Sequence, residues 1–154
     1  MRGNESINSM SLKYGGMTGI GLIIYFLLMK VLGLTHVLEL RFFNFVILVV
    51  GVLFAIRHYR TVSNGLVDYL EGFGMGFLTS LISSAIFSSF LYIYLRVLDP
   101  SFMTYLIQNA PLGSYLTPFA ASFAIMIEAT ASGSVITLLG LQYSRKVLVM
   151  RNHA

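Results

Sequence analysis

The chain is predicted to be an all-α polytopic membrane protein, with four transmembrane helices in one bundle and a short interfacial helix on the outer side. Three observations carry this. Only 10% of the 154 residues are charged and 56% are hydrophobic, against ~25% charged in ordinary soluble domains. Uncharged runs cover Tyr14 to Met29, Phe42 to Ile56, Gly72 to Leu95, and Ser101 to Ser144 with Glu128 as the one interruption. Each approaches or exceeds the ~20 mostly apolar residues that a span needs. Lys and Arg, finally, gather on alternate connections. A single transmembrane domain, residues 1–154, accounts for the chain, and no soluble domain remains.

The first span is expected near Tyr14–Leu34. It is too long for the apolar core of a secretory signal and lacks a small-residue cleavage site, so it should stay as an anchor. Its "GGMTGIG", Gly15 to Gly21, has the spelling of a dinucleotide-binding turn. That motif needs a preceding strand and a βαβ unit, whereas these glycines open an apolar helix, which makes them packing glycines. The second span, Leu40–Tyr59, reads "FFNFVILVVGVLFAI" and is nearly free of small residues. It is expected to be the most lipid-exposed. Arg57, His58 and Arg60 at its end read as an orientation signal that also meets lipid headgroups.

The third span, Tyr69–Leu95, follows an Asn64–Gly65 turn and a capping pair, Asp68 with Glu71. It sets a small residue at every fourth position: Gly72, Gly76, Ser80, Ser84 and Ser88. In lipid no hydrophobic force draws helices together, so close packing depends on small residues that let backbones approach. The fourth span offers a matching surface in Ala129, Gly133 and Thr137, and the first adds Gly15 and Gly19. Packing within the bundle is the first reading of this ridge, and a homodimer face is the second.

The third connection, "DPSFMTYLIQNAP", begins with an Asp cap and a Pro at the first helical position. Phe102, Met103, Leu106 and Ile107 then share one face, as in a short helix lying on the outer interface. Thr117–Pro118 repeats the cap-then-proline signal and starts the fourth span, Thr117–Tyr143. Seven basic residues (Arg2, Lys13, Arg57, Arg60, Arg145, Lys146, Arg151) fall on the side of the termini, and three (Lys30, Arg41, Arg96) on the other. Both termini are therefore expected to be cytoplasmic. Most tyrosines mark the bilayer edges, and Tyr25 alone breaks that pattern.

Glu128 is the one ionisable residue far from any helix end. It lies about 15 Å along the helix from Pro118 and about 22 Å from Tyr143, inside a core ~30 Å thick. An intramembrane acid is a functional-site hypothesis by default. Ser84 is placed at similar depth and Tyr25 within reach, so the expected polar site is Glu128 with Ser83, Ser84 and Tyr25. There the carboxyl would be neutral and hydrogen-bonded, either tying helices together or carrying a proton.

Enzymatic alternatives fail on inventory. The chain has no cysteine, which excludes disulfides, thiolate metal sites and iron–sulfur ligation. His36, His58 and His153 sit at helix ends or in the tail, so the serines of the third span lack a base. Asp68, Glu71 and Asp99 read as caps. No catalytic residue, metal ligand or cofactor is expected. The net charge of +4 is the ordinary bias of a membrane protein facing anionic lipid, and nucleic acid is not an expected partner.

"DYLEGFGMGF" entering the third span, "YIYLRVLDPSFM" leaving it, "IEATASGSVITLLG" and the basic "SRKVLV" resemble a domain-of-unknown-function family of small four-span bacterial inner-membrane proteins. The resemblance implies this architecture and brings with it no known activity. The fourth span alone is similar to the proteolipid subunits of rotary ATPases in its mid-membrane Glu, while the long third connection and glycine-poor second span depart from them. The sequence thus reads as a non-enzymatic accessory or structural part of a membrane assembly, partnered by lipid, by itself or by other membrane subunits. The alternative is a small proton-coupled transporter or ion-carrying oligomer using Glu128.

Overall fold

The computed structural model describes residues 7–33, 38–63, 69–109 and 113–152, with side chains for all of these but 38–42 and 143–152. Five α-helices follow one another: α1 (Ile7–Val31), α2 (Leu38–Val62), α3 (Tyr69–Ile93), α4 (Pro100–Asn109) and α5 (Pro118–Asn152). No strand occurs among the described residues. α1, α2, α3 and α5 each contain a stretch long and apolar enough to cross a membrane. The architecture is that of a multi-pass membrane protein. The proposed turn and cap at Asn64, Gly65 and Asp68 lie outside the described residues.

α3 is the axis of the bundle. α1 and α5 pack against it, and α2 touches all three. On the α1 side, a Cβ placed on Gly15 would lie 2.8 Å from Ile82 Cβ, and one on Gly19 would lie 3.0 Å from Ile86 Cβ. These glycines seat the branched side chains of α3 against the α1 backbone. Gly51 of α2 is pressed in the same way by Thr18 of α1.

α1 begins seven residues before the apolar run does. Its polar first turns persist because they pack: Met10 and Ser11 are buried, and the Ser11 hydroxyl donates to the Met75 carbonyl at 3.4 Å. α2 also departs from expectation. Of its span, 28% is buried, against 22% for α1 and for α5, because Leu48, Val52 and Ile56 form a core with Ile136 and Leu141 of α5. Phe43, Val46, Val50 and Phe54 remain exposed on its other side. Bulky residues fill the wedge left where α5 meets α2, so bulk alone did not mark lipid exposure.

Beyond Ile93, α3 widens into a π-helical turn, Tyr94–Leu98, closed by the Asp99 N–H donating to the Tyr94 carbonyl at 2.9 Å. Asp99 then caps α4 by accepting the Phe102 N–H at 3.1 Å. α4 folds back onto the bundle. Phe102 and Met103 are buried with Leu91, Tyr94, Leu95 and Ala121, and Leu106 packs at the margin. Ile107 is exposed at 41% and does not join that face. Thr117 caps α5, its hydroxyl accepting the Ala120 N–H at 3.1 Å.

Candidate functional site

The small-residue ridge of α3 meets α5 in an antiparallel ladder. Gly76 lies against Thr137 and Ser80 against Gly133, each so close that a Cβ on the glycine would overlap its neighbour. Further along, Ser84 Oγ is 2.8 Å from Thr130 Oγ1, and the Ser88 hydroxyl donates to the Ser122 carbonyl at 2.7 Å. Gly72 is buried at the head of the ridge. The ridge is therefore consumed inside the bundle, which answers what it presses against and leaves no part of it for a second copy. Ala129 does not join Gly133 and Thr137 on that line. It packs at the edge of the α2–α5 core instead.

Hydroxyls in this seam also bond to their own helix. Ser80, Ser83 and Ser84 donate to the carbonyls of Phe77, Ser80 and Leu81, and Thr130 and Thr137 to those of Met126 and Gly133. Back-bonding of this kind satisfies a hydroxyl without a partner helix. Size, more than hydrogen bonding, is what the seam demands. Ser84→Ala is accordingly expected to lower stability by only about 0.6 kcal/mol, read as a small shift in detergent melting. A loss of several times that would show that the Ser84–Thr130 pair carries the seam.

Glu128 is not in this seam. The structure leaves it exposed on the outer face of α5, away from Ser83, Ser84 and Tyr25. The depth argument placed it well, since Ser84 meets Thr130, only two residues on. Two residues are about 200° around an α-helix, however, so a helix that turns Thr130 inward turns Glu128 outward. Ser83 is buried in α3, and the Tyr25 ring lies 6.2 Å from that of Phe43 on α2. The four residues expected to form one polar site are thus dispersed.

A second polar cluster closes the opposite end of α1. Lys30 pairs with Asp99, and the Tyr94 hydroxyl donates to the same carboxyl oxygen at 3.3 Å. The Ser101 hydroxyl and the Phe102 N–H donate to the other oxygen. The Lys30 bond, reinforced by Ser101 and by the Phe102 amide, holds the Asp99 carboxyl well below the usual carboxylate range. The Lys30 ammonium also sits 5.3 Å above the Phe102 ring. Asp99 is a cap, as its position implied, and also the anchor that ties α4 to α1. The signal was available: Lys30 ends the first apolar run, and Asp99 follows the third, four residues past Leu95. Nearby, Tyr92, Arg96, Thr117, Pro118 and Phe119 line a shallow, open groove of about 220 Å³.

Among the described residues no three His, Cys, Asp or Glu side chains come together as a metal site would require. Residues 13–139 match the family described as "Protein of unknown function (DUF4199)". The chain belongs to the DUF4199 family. No curated protein and no solved structure matches it. The match begins within α1 and ends within α5, so this DUF4199 domain includes the α3 ridge, the Lys30–Asp99 anchor and Glu128.

Proposed function

We propose that this DUF4199 protein is a non-enzymatic accessory or structural component of a larger assembly in a bacterial inner membrane, with both termini cytoplasmic. The observation that carries the proposal is the outward carboxyl of Glu128 near the middle of the apolar Pro118–Gln142 stretch of α5. An ionisable side chain at that depth is expensive against lipid and almost always faces protein or water. The hydroxyls of the α3–α5 seam are bonded to backbone and to one another, whereas the mid-span acid points outward and leaves its own polar demand at the surface. That is the arrangement of a part, completed by a neighbour.

The same observation supports a second reading, an ion-carrying oligomer in which Glu128 loads and releases a proton at a subunit boundary. The two diverge at Glu128→Gln, because an amide keeps the shape and hydrogen-bonding capacity but cannot cycle between charge states. Under the accessory reading, the variant extracted in mild detergent migrates in the same high-mass complex as the parent. Under the second, the complex survives but pH-coupled flux in vesicles is abolished. A parent protein that runs as a lone 17.1 kDa chain in its detergent micelle would sink both. For the topology, reporter fusions after Thr61 and after Ala154 are expected to report cytoplasm and a fusion after Pro111 the opposite side, following the charge bias. An external signal at Ala154 would reverse the assignment.

A further inference from the structure

The end of the α1–α2 pair opposite the Lys30–Asp99 anchor carries cations that no acid answers. Lys13 stands immediately before the uncharged run of α1, and Arg57 immediately after that of α2. The two helices are antiparallel, and the Tyr14 ring lies 5.5 Å from that of His58, so the two run ends share one height. Lys13 and Arg57 are both exposed there, with the Lys13 ammonium 6.0 Å from the Tyr14 ring. Arg60 lies one turn beyond Arg57, and residues three apart on a helix are neighbours. Lys13, Arg57 and Arg60 make no ion pair among the described residues, where Lys30–Asp99 is the one salt bridge. The described carboxylate at this end, Glu71, accepts the Tyr59 hydroxyl at 3.2 Å. In Arg60 the Nε N–H is enclosed by protein and has no acceptor, and a buried donor left unpaired calls for an explanation.

The chemistry missing from this corner is an anion rich in acceptors. The ends of the apolar runs mark the edge of the hydrocarbon, and Tyr14 beside them has the placement of an interfacial tyrosine. What meets the protein at that height is the headgroup layer of the bilayer itself. A phosphate diester there suits Arg57 and Arg60, whose guanidinium groups bind phosphate through paired N–H donors, and it suits Lys13 as a point charge. The ammonium of a zwitterionic headgroup would meet three cations and one carboxylate already shared with Tyr59. We propose that Lys13, Arg57 and Arg60 form a binding site for the headgroup of an anionic phospholipid, selected over zwitterionic ones. The site goes beyond orientation by charge, and it stands whatever covers Glu128.

The test uses the full-length chain in neutral detergent, titrated with phosphatidylglycerol or with phosphatidylcholine of the same acyl chains, with bound lipid counted by native mass spectrometry. The parent is expected to retain phosphatidylglycerol in preference. R57Q should lower that retention about 5-fold and R57Q/R60Q about 30-fold, as the loss of one and of two charges beside the phosphate implies. R96Q removes the same charge from an exposed arginine at the other end of the bundle and should leave retention unchanged. Phosphatidylglycerol should also raise the melting temperature of the parent and not that of R57Q/R60Q. Should the double variant melt early without lipid, R57Q decides alone, because Arg57 is exposed. Equal retention of the two lipids, an R57Q variant that binds as the parent does, or an R96Q loss as large as that of R57Q would each overturn the site. Displacement of the bound lipid by inorganic phosphate would overturn its assignment to a lipid.

Discussion

Gly133→Val is expected to be the most damaging single substitution in the bundle, lowering stability by about 3 kcal/mol or more. Overpacking typically destabilises by ~1–3 kcal/mol when side chains can shift aside. Here the obstruction is Ser80 Cβ, the atom fixed directly to the α3 backbone, so no rotamer change relieves it and the two helices must separate. Gly16→Ala is the matched control, because nothing lies within 4 Å of a Cβ built there, and its melting temperature in detergent should stay near that of the parent. Ser80→Gly should partly rescue Gly133→Ala by removing the atom it strikes. Additive losses in that double-mutant cycle would show that the two positions do not touch.

Asp99→Ala is the second large effect, expected at about 2–3 kcal/mol. It removes a helix cap, which contributes ~1 kcal/mol, together with hydrogen bonds to a charged group. The contribution of the Lys30 pair is discounted because that lysine side chain is 36% exposed. The loss should be local. Proteolysis or hydrogen exchange ought to report α4 released from the cluster around Phe102 while α3 and α5 stay protected, and uniform loosening of all helices would contradict the anchor role. The pH dependence follows from sign. The folded carboxyl lies below its unfolded value, so its stabilisation is fully present above ~4 and is lost as pH falls from there through the depressed folded value. Between neutrality and pH ~4, α4 protection should therefore be flat in the parent.

Position along the membrane normal was legible in the sequence, and rotation about it was not. Apolar runs and a four-residue period are one-dimensional signals, and they located the four spans, the Asp99 and Thr117 caps, and the α3 ridge. Ser84 and the middle of the fourth span were rightly set at one depth. Which face of α5 turns inward depends on how three helices share α3, and Thr130 took the place where Glu128 was expected because a small hydroxyl fits the ridge and a carboxylate does not. The same limit explains Ala129, which turns toward α2. The early start of α1 was hidden for another reason. Ser11 reads as an interfacial polar residue by hydropathy, yet its hydroxyl is used by Met75 of a helix more than sixty residues away.

The central position of α3 has a consequence for how the protein is made. Chains enter the membrane N-terminus first, so α1 and α2 arrive before the helix that both of them touch. Until α3 follows, Gly15 and Gly19 have no Ile82 and Ile86 to seat, and the Thr18–Gly51 contact holds a provisional hairpin. α3 in turn presents a row of serines to lipid until α5 arrives to cover it. The most buried helix is thus the third of four to be delivered. Each half of the protein is an unfinished surface, and biogenesis must protect that surface for as long as synthesis of the next span takes.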